Sequence, residues 1–383
     1  MRIAIIGGGI GGLTAALAVR QFGFDPQVFE QAPDLLEVGA AILMWPNAMR
    51  VLRRLGLAES IREHGGLLAQ GRWLTPEGKL IKQFRLPETG EPAIALHRAE
   101  LQRALVDALP DDSIHLGHTY ETYTQLPDRI VANFANQSSF ESDLLIAADG
   151  VHSRTRAQLL NDGPPDNQGY LAWRGVVPYT PSSLPAATAI EIYGAGKRFG
   201  IGPLGFGKIG WWASTNAAIK PTDATRDELK ELFAGWCDPV TELIEATPST
   251  SLVRNDVCDR RPSRGWTSGA VTLLGDAIHP TTPNLGQGGC LAIEDAAVLA
   301  RCLDKHGTET GAQVSAALQR FESLRYRRTA AIARYSRLYG KIGQWQRPWA
   351  AELRRCAQSL VPKRFIEHFL REIFAYDAYG VRI

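Results

Sequence analysis

Met1-Arg-Ile-Ala-Ile-Ile-Gly7-Gly-Gly9-Ile-Gly11-Gly12-Leu-Thr-Ala-Ala16 opens the chain, and its reading decides the fold. The apolar run before Gly7 predicts a strand, and the Ala/Leu-rich run after Gly12 predicts a helix. Gly7 permits a tight turn, Gly9 lets the backbone approach a pyrophosphate, and Gly12 allows close helix–sheet packing. The helix N-terminus offers free N–H groups and a partial positive charge to an anion. A second apolar stretch ends at Glu30, eighteen residues beyond Gly12, where a carboxylate can hold a ribose hydroxyl pair and disfavours a 2′-phosphate. Strand, glycines, helix and acid together predict a dinucleotide cradle in an α/β, Rossmann-like fold.

With 383 residues, 45% of them hydrophobic and 21% charged, the chain can bury one large core or two interlocked ones. A formal net charge of +2 gives no steering toward nucleic acid. The arginines at 325, 327, 328, 354 and 355 lie in helical patterns and read as solvated faces. No stretch reads as a signal peptide or approaches the roughly twenty apolar residues of a membrane span. Five cysteines, Cys237, Cys258, Cys290, Cys302 and Cys356, have no metal-ligand spacing, and the eight histidines form no cluster. The expectation is a reduced, cytoplasmic protein without a bound metal, monomeric or homodimeric.

Beyond Glu30, Gly39 with Ala40 and Ala41 can let the backbone pass close to a flat ligand, before Trp45-Pro46 and a helix over 47–55. A further helix begins near Arg98, and a cation in a first turn suggests an anionic partner. Short alternating segments over 113–146 read as strands and hairpins. The texture from about Tyr170 to Leu252 predicts an antiparallel sheet interrupted by a helix over 226–236. The expected division is a discontinuous nucleotide domain, 1–169 with 253–310, an inserted antiparallel-sheet domain, 170–252, and C-terminal helices, 311–383. The segment 57–97 is a candidate contributor to the inserted side. Gly205-Phe-Gly-Lys-Ile-Gly210 repeats the glycine spacing, but Trp211-Trp212-Ala-Ser-Thr after it has strand character, so it reads as a hairpin turn.

Two more motifs stand with the cradle: Ala147-Ala148-Asp149-Gly150, followed by Ser153 and Arg156, and Gly275-Asp276-Ala-Ile-His279-Pro-Thr-Thr-Pro283-Asn-Leu285-Gly286-Gln287-Gly288-Gly289-Cys290. In this order the three resemble the class A FAD-dependent monooxygenases with the para-hydroxybenzoate hydroxylase fold, over Met1 to about Arg337. Within that family the texture is similar to the subgroup of urate hydroxylase, 3-hydroxybenzoate 6-hydroxylase and zeaxanthin epoxidase. The resemblance implies that Glu30 with Gln31 holds the FAD adenosine, Gly11 and Arg98 the pyrophosphate, and Tyr120 the adenine through its backbone. Ala41 falls beside the flavin. Asp276 and the turn Leu285-Gly286-Gln287-Gly288-Gly289 would hold the ribityl and flavin, the helix N-terminus stabilising reduced flavin. Asp149-Gly150 is shared in the family with NADH or NADPH, which visits as a transient co-substrate.

The implied reaction is flavin reduction by NAD(P)H, capture of O2 as a C4a-hydroperoxide, and transfer of one oxygen to a flat aromatic or conjugated molecule. Trp45, Trp173, Arg198, Phe199, Trp211 and Pro283 are the expected pocket residues, with Arg198 anchoring substrate and Pro283 walling the flavin. No clear general base emerges, and His279, which lies in the flavin motif, is as readily structural. In urate hydroxylase a tyrosine partners the arginine matching Arg198. Gly210 stands there in this chain, which argues against urate. Oxygenation of a larger polyene or polyketide is the alternative within the fold. In other functional classes stand a flavin reductase that saturates isoprenoid double bonds without oxygen and a flavin-binding redox sensor. The apolar positions and arginines from Gln344 to Phe374 are expected to pack back on the domain in preference to forming an interfacial face.

Overall fold

The structure, a computed structural model, describes residues 1–35, 40–216 and 226–383. Gly39 lies outside the described residues. Ile3, Ile5, Leu144, Leu145, Ile146, Val271 and Leu273 are wholly buried, as apolar runs covered on both faces of a parallel sheet must be. They belong to a six-stranded sheet ordered Thr267–Ser268, Val271–Leu273, Leu144–Ala147, Arg2–Ile6, Asp25–Phe29, Ile114–His115. Its neighbours from Val271–Leu273 to Ile114–His115 pair in parallel, and Thr267–Ser268 is an antiparallel edge. Parallel strands end on one edge, so Gly7, Asp149 and Gly275 leave the sheet side by side although they are far apart in sequence. Ligands of open parallel sheets bind outside that edge.

The cradle helix Ile10–Arg20 packs on this sheet beside a second helix, Gly288–His306. Gly12 is obligatory there, since a Cβ would fall 2.0 Å from the Gly7 carbonyl oxygen. Gly7 itself has φ +104°, with Ala148 O only 2.5 Å from where a Cβ would stand.

A seven-stranded sheet forms the other half, ordered Val253–Asp259, Asp166–Val177, Ile209–Asn216, Lys197–Pro203, Thr188–Gly194, Gln70–Leu74, Leu80–Arg85. All pairings are antiparallel except that of Gln70–Leu74 with Thr188–Gly194. Two expected boundaries are corrected here. Val253–Asp259 is an edge strand of this sheet rather than the resumption of the nucleotide domain, and the adjoining strand starts at Asp166. The segment 57–97 supplies two strands to the sheet and two, Gly66–Leu68 and Ala93–His97, to a three-stranded bridge with Ala41–Met44. Gly205–Gly210 is a turn closed by Leu204 N–H on Lys208 O, leading into Ile209–Asn216.

One face of the seven-stranded sheet is closed by the helices Arg226–Leu232 and Val240–Ala246, with Leu229, Phe233, Val240, Leu243 and Ile244 in the shared core. The other face looks toward the nucleotide domain: Val176 and Ala189 pack with Ala41, Leu43 and Trp45. Helices Gly311–Gly343, Pro348–Leu360 and Lys363–Phe374 complete the chain. The last is pinned where Ile373 and Phe374 bury against Leu291 and Ile332, while Trp349, Leu353, Leu360 and Phe365 remain exposed. No helix among the described residues is long and apolar enough to cross a membrane.

Candidate active site

At the cradle, Glu30 accepts Gly8 N–H on one oxygen at 2.7 Å and Ala32 N–H on the other at 2.9 Å, which fixes the carboxylate and leaves lone pairs for a ribose. Gln31 is exposed beside it. Gly9 has nothing within 4 Å of a Cβ position, so the space over it is open. Gly11 differs: a Cβ there would stand 3.0 Å from Leu274 Cδ2 and 3.3 Å from Ala292 Cβ, so the residue has only its backbone to offer an anion. Gln102 Nε2 donates to Gly8 O and ties the helix Arg98–Asp107 to the turn. Arg98 is exposed at the start of that helix, its N–H held by Ala40 O. Tyr120 buries its ring against Phe134, so its backbone is what remains for a ligand.

Asp149 accepts the N–H and hydroxyl of Thr155 on Oδ2, both at 3.2 Å, and leaves Oδ1 buried without a partner. Burial raises its pKa, against hydrogen bonds from Ser153 and Thr155. Gly150 takes φ +79°. Ser153 caps the helix Arg154–Leu160 by accepting Arg156 N–H. Arg156 is a bolt rather than a cofactor ligand. It is 1% exposed, pairs with Asp162, and donates to the carbonyls of Ala277 and Ile278, so it fastens the second motif to the third.

Asp276 lies in the turn Gly275–Ala277 with its side chain open to solvent. The protein around it still desolvates the carboxyl and raises its pKa, while the charges of His279 and Arg98 pull it down. His279 is structural: its Nε2 lies 2.6 Å from Asp295, which also takes Arg325 Nε at 2.6 Å. Neighbouring Glu294, wholly buried, is met by Arg325, Arg328 and Asn47. This cluster overturns the reading of Arg325 and Arg328 as a solvated face, since Arg325 is wholly buried and Arg328 nearly so, and it fixes the helix that begins at Gly288.

That helix starts at Gln287, whose side chain caps no backbone N–H, so the first-turn N–H groups are available to an anion. Gly288 is open, with no atom nearer than 3.5 Å to a Cβ. Gly286 takes φ +60°, under Leu43 and Trp45, and Gly289 lies against Ile42. The turn Pro283–Leu285 is held by Asn284, which donates to Tyr170, Thr282 and Ser336. Trp45 donates to Leu285 O at 3.2 Å and stacks on Phe374, so it braces this turn. Open glycines, fixed carboxylates and a free helix N-terminus along one cleft fit an extended FAD.

The pocket expectations need correction on the seven-stranded sheet. Trp173, Phe199 and Trp211 are at most 1% exposed and sit in the core beneath the two covering helices. Phe199 stacks on Trp211 at 5.2 Å, and Trp211 Nε1 donates to Thr247. Side chains alternate across a strand, so the residues facing the nucleotide domain are their neighbours: Ala172, Arg174, Arg198, Gly200, Gly210 and Trp212. Arg198 does face this way but is fully engaged. Its Nη1 meets Glu191 at 3.1 Å, Nε meets Ser214 and Gln344 at 3.2 Å each, and Nη2 meets Asn284. Glu191 in turn accepts Tyr193 and Tyr339, phenols whose pKa burial and the Glu191 charge push upward. At Gly210 a Cβ would fall 2.5 Å from Ala41 Cβ, so no side chain fits there without movement.

Comparison with known proteins shows the family. Residues 1–336 match the family model described as FAD binding domain. The chain is 41% identical over 361 residues to the aurachin C monooxygenase/isomerase of Stigmatella aurantiaca, covering 92% of each. It is 34% identical to the FAD-dependent urate hydroxylase of Klebsiella pneumoniae, covering 92% of this chain and 94% of that one. A crystal structure of Klebsiella pneumoniae HpxO complexed with FAD and uric acid superposes with TM-score 0.92 at 31% identity, covering 99% of this chain and 98% of that one.

Proposed function

The chain belongs to the FAD binding domain family as an FAD-dependent class A monooxygenase, and on that premise we propose that it takes electrons from NADH or NADPH and oxygenates a flat aromatic or conjugated molecule. When bound, FAD supplies the electron transfer and oxygen activation. The residues of the chain bind, orient and shield. Glu30 and Asp276 hold hydroxyls at the two ends of the cofactor. Arg98 and the cradle N–H groups take the pyrophosphate charge. The free first turn at Gly288 meets the reduced ring, and Trp45 with Asn284 keeps that turn rigid.

The observation that carries this reading is the opposition of the two halves. Val176 and Gly210, on the same sheet face as Ala172, Arg174 and Trp212, lie against Ala41 and Leu43, and Leu43 covers Gly286 in the flavin-side turn, so a planar molecule held between that turn and the sheet would be shielded from water. Urate is not the expected substrate, because Gly210 leaves no room for a partner side chain. Oxygenation of a larger conjugated molecule is the second reading, supported by the similarity to the aurachin C enzyme. The test is a screen of aromatic acids, phenols, quinolones, purines and polyenes for compounds that accelerate NAD(P)H oxidation with matching O2 uptake. An accelerating compound without O2 uptake would move the protein to the reductase class.

A further inference from the structure

Arg174 and Trp212 occupy opposite positions on the neighbouring strands Asp166–Val177 and Ile209–Asn216. Both lie on the face turned to the nucleotide domain, and directly opposed residues place their Cβ atoms about 5 Å apart. Trp212 leans away from Arg174 over Gly200: a Cβ at Gly200 would stand 1.9 Å from Trp212 Cε2, so glycine there is what lets the indole lie down on the sheet. Among the described residues the indole has no ring partner, and its N–H has no acceptor.

Arg174 is half-buried and, among the described residues, donates no hydrogen bond and joins no ion pair. The charge that reaches it is that of another cation, Arg98, and that repulsion adds to burial in lowering its pKa. A guanidinium removed from water without a carboxylate is costly, and Arg156, Arg198 and Arg325 each meet one: Arg156 meets Asp162, Arg198 meets Glu191, and Arg325 meets Asp295 and Glu294. Arg98, at the start of its helix, is assigned with the cradle helix to the cofactor phosphates. The uncompensated donor belongs to the sheet side, beside an idle aromatic platform.

We propose that Arg174 and Trp212 form the substrate's anion subsite, in which a planar aromatic lies on the Trp212 indole and its ionised oxygen, a carboxylate, phenolate or enolate, accepts from the Arg174 guanidinium. This rests on the monooxygenase reading and narrows it to aromatic anions. It also reassigns the anchoring role from Arg198, whose donors are spent, to Arg174. Arg198 is then a positioning residue for the Asn284 turn.

The test is titration of the FAD-loaded enzyme with salicylate and with its uncharged amide, followed by perturbation of the flavin absorbance. Wild type is expected to prefer salicylate by roughly tenfold, the order of one charge-assisted hydrogen bond. Arg174→Met should abolish that preference, Arg174→Lys retain part of it, and both keep full FAD. Trp212→Ala should weaken both probes alike. No preference in wild type, or a preference that survives in Arg174→Met, overturns the inference. Loss of FAD from Arg174→Met, or a raised KM for NADH with probe preference intact, would assign the arginine to a cofactor phosphate instead. The titration requires no turnover, so its failure is distinguishable from failure of O2 incorporation.

Discussion

Glu191 and Arg198 meet on neighbouring strands of the seven-stranded sheet, Nη1 to Oε1 at 3.1 Å, with 17% and 6% of their side chains exposed. The pair is enclosed by Tyr193, Tyr339, Asn284 and Gln344, so it couples the sheet to the flavin-side turn and to the long helix Gly311–Gly343.

Removing one member leaves the other buried and unpaired. Arg198→Ala should therefore cost about 3 kcal/mol of stability, whereas Glu191→Gln, which keeps the shape and part of the hydrogen bonding, should cost less. Denaturant unfolding of the two variants checks this. Arg198→Ala with unchanged stability and altered substrate affinity alone would return Arg198 to the pocket.

The cradle glycines separate folding from binding. Gly12→Ala drives a methyl to 2.0 Å from the Gly7 carbonyl and should disrupt the fold locally. Gly9→Ala meets no protein atom within 4 Å, so the chain should fold with unchanged melting temperature while FAD affinity falls about tenfold or more. Thermal unfolding of the apoprotein alongside FAD titration distinguishes the two.

Asp276→Ala removes a carboxylate open to the cleft that makes no hydrogen bond to the described protein. The expected outcome is a folded protein that purifies largely colourless. A fully yellow variant with normal FAD affinity would remove Asp276 from the ribityl site.

The ionic cluster at the flavin-side helix makes an acid limit. Burial opposes ionisation of Asp295 and Glu294, but His279 with Arg325 on the first, and Arg328 with Arg325 on the second, hold both carboxyls below their ordinary pKa. A carboxylate depressed in the folded state contributes its stability above the unfolded pKa of about 4 and loses it as pH falls toward the folded value. Stability should drop steeply below about pH 4. Asp295→Asn should be less stable at pH 7 and flatter across that window, as measured by urea unfolding at several pH values.

What was legible in the sequence was local. Gly7, Glu30, Asp149 and Asp276 each declare themselves through a few neighbours, and a parallel sheet brings their strand ends together. The substrate half was not legible, because it depends on strand parity. Trp211 and Trp212 are equally aromatic, and only the packing of Phe233 and Leu243 on one face decides that Trp211 enters the core while Trp212 looks to the flavin side. Arg198 likewise looked free because its partners Asn284 and Gln344 lie 86 and 146 residues away. Val253–Asp259 joined the wrong domain for the same reason, since an edge strand is defined by its neighbour Asp166–Val177.

In the proposed reaction, one oxygen atom of O2 passes to an organic molecule held between the flavin-side turn and the seven-stranded sheet. Turnover of an accelerating compound under isotopically labelled O2, with the product weighed by mass spectrometry, tests it most directly. The expected product carries one labelled oxygen atom per molecule and none from labelled water. A product without label, or one labelled from water alone, would contradict it.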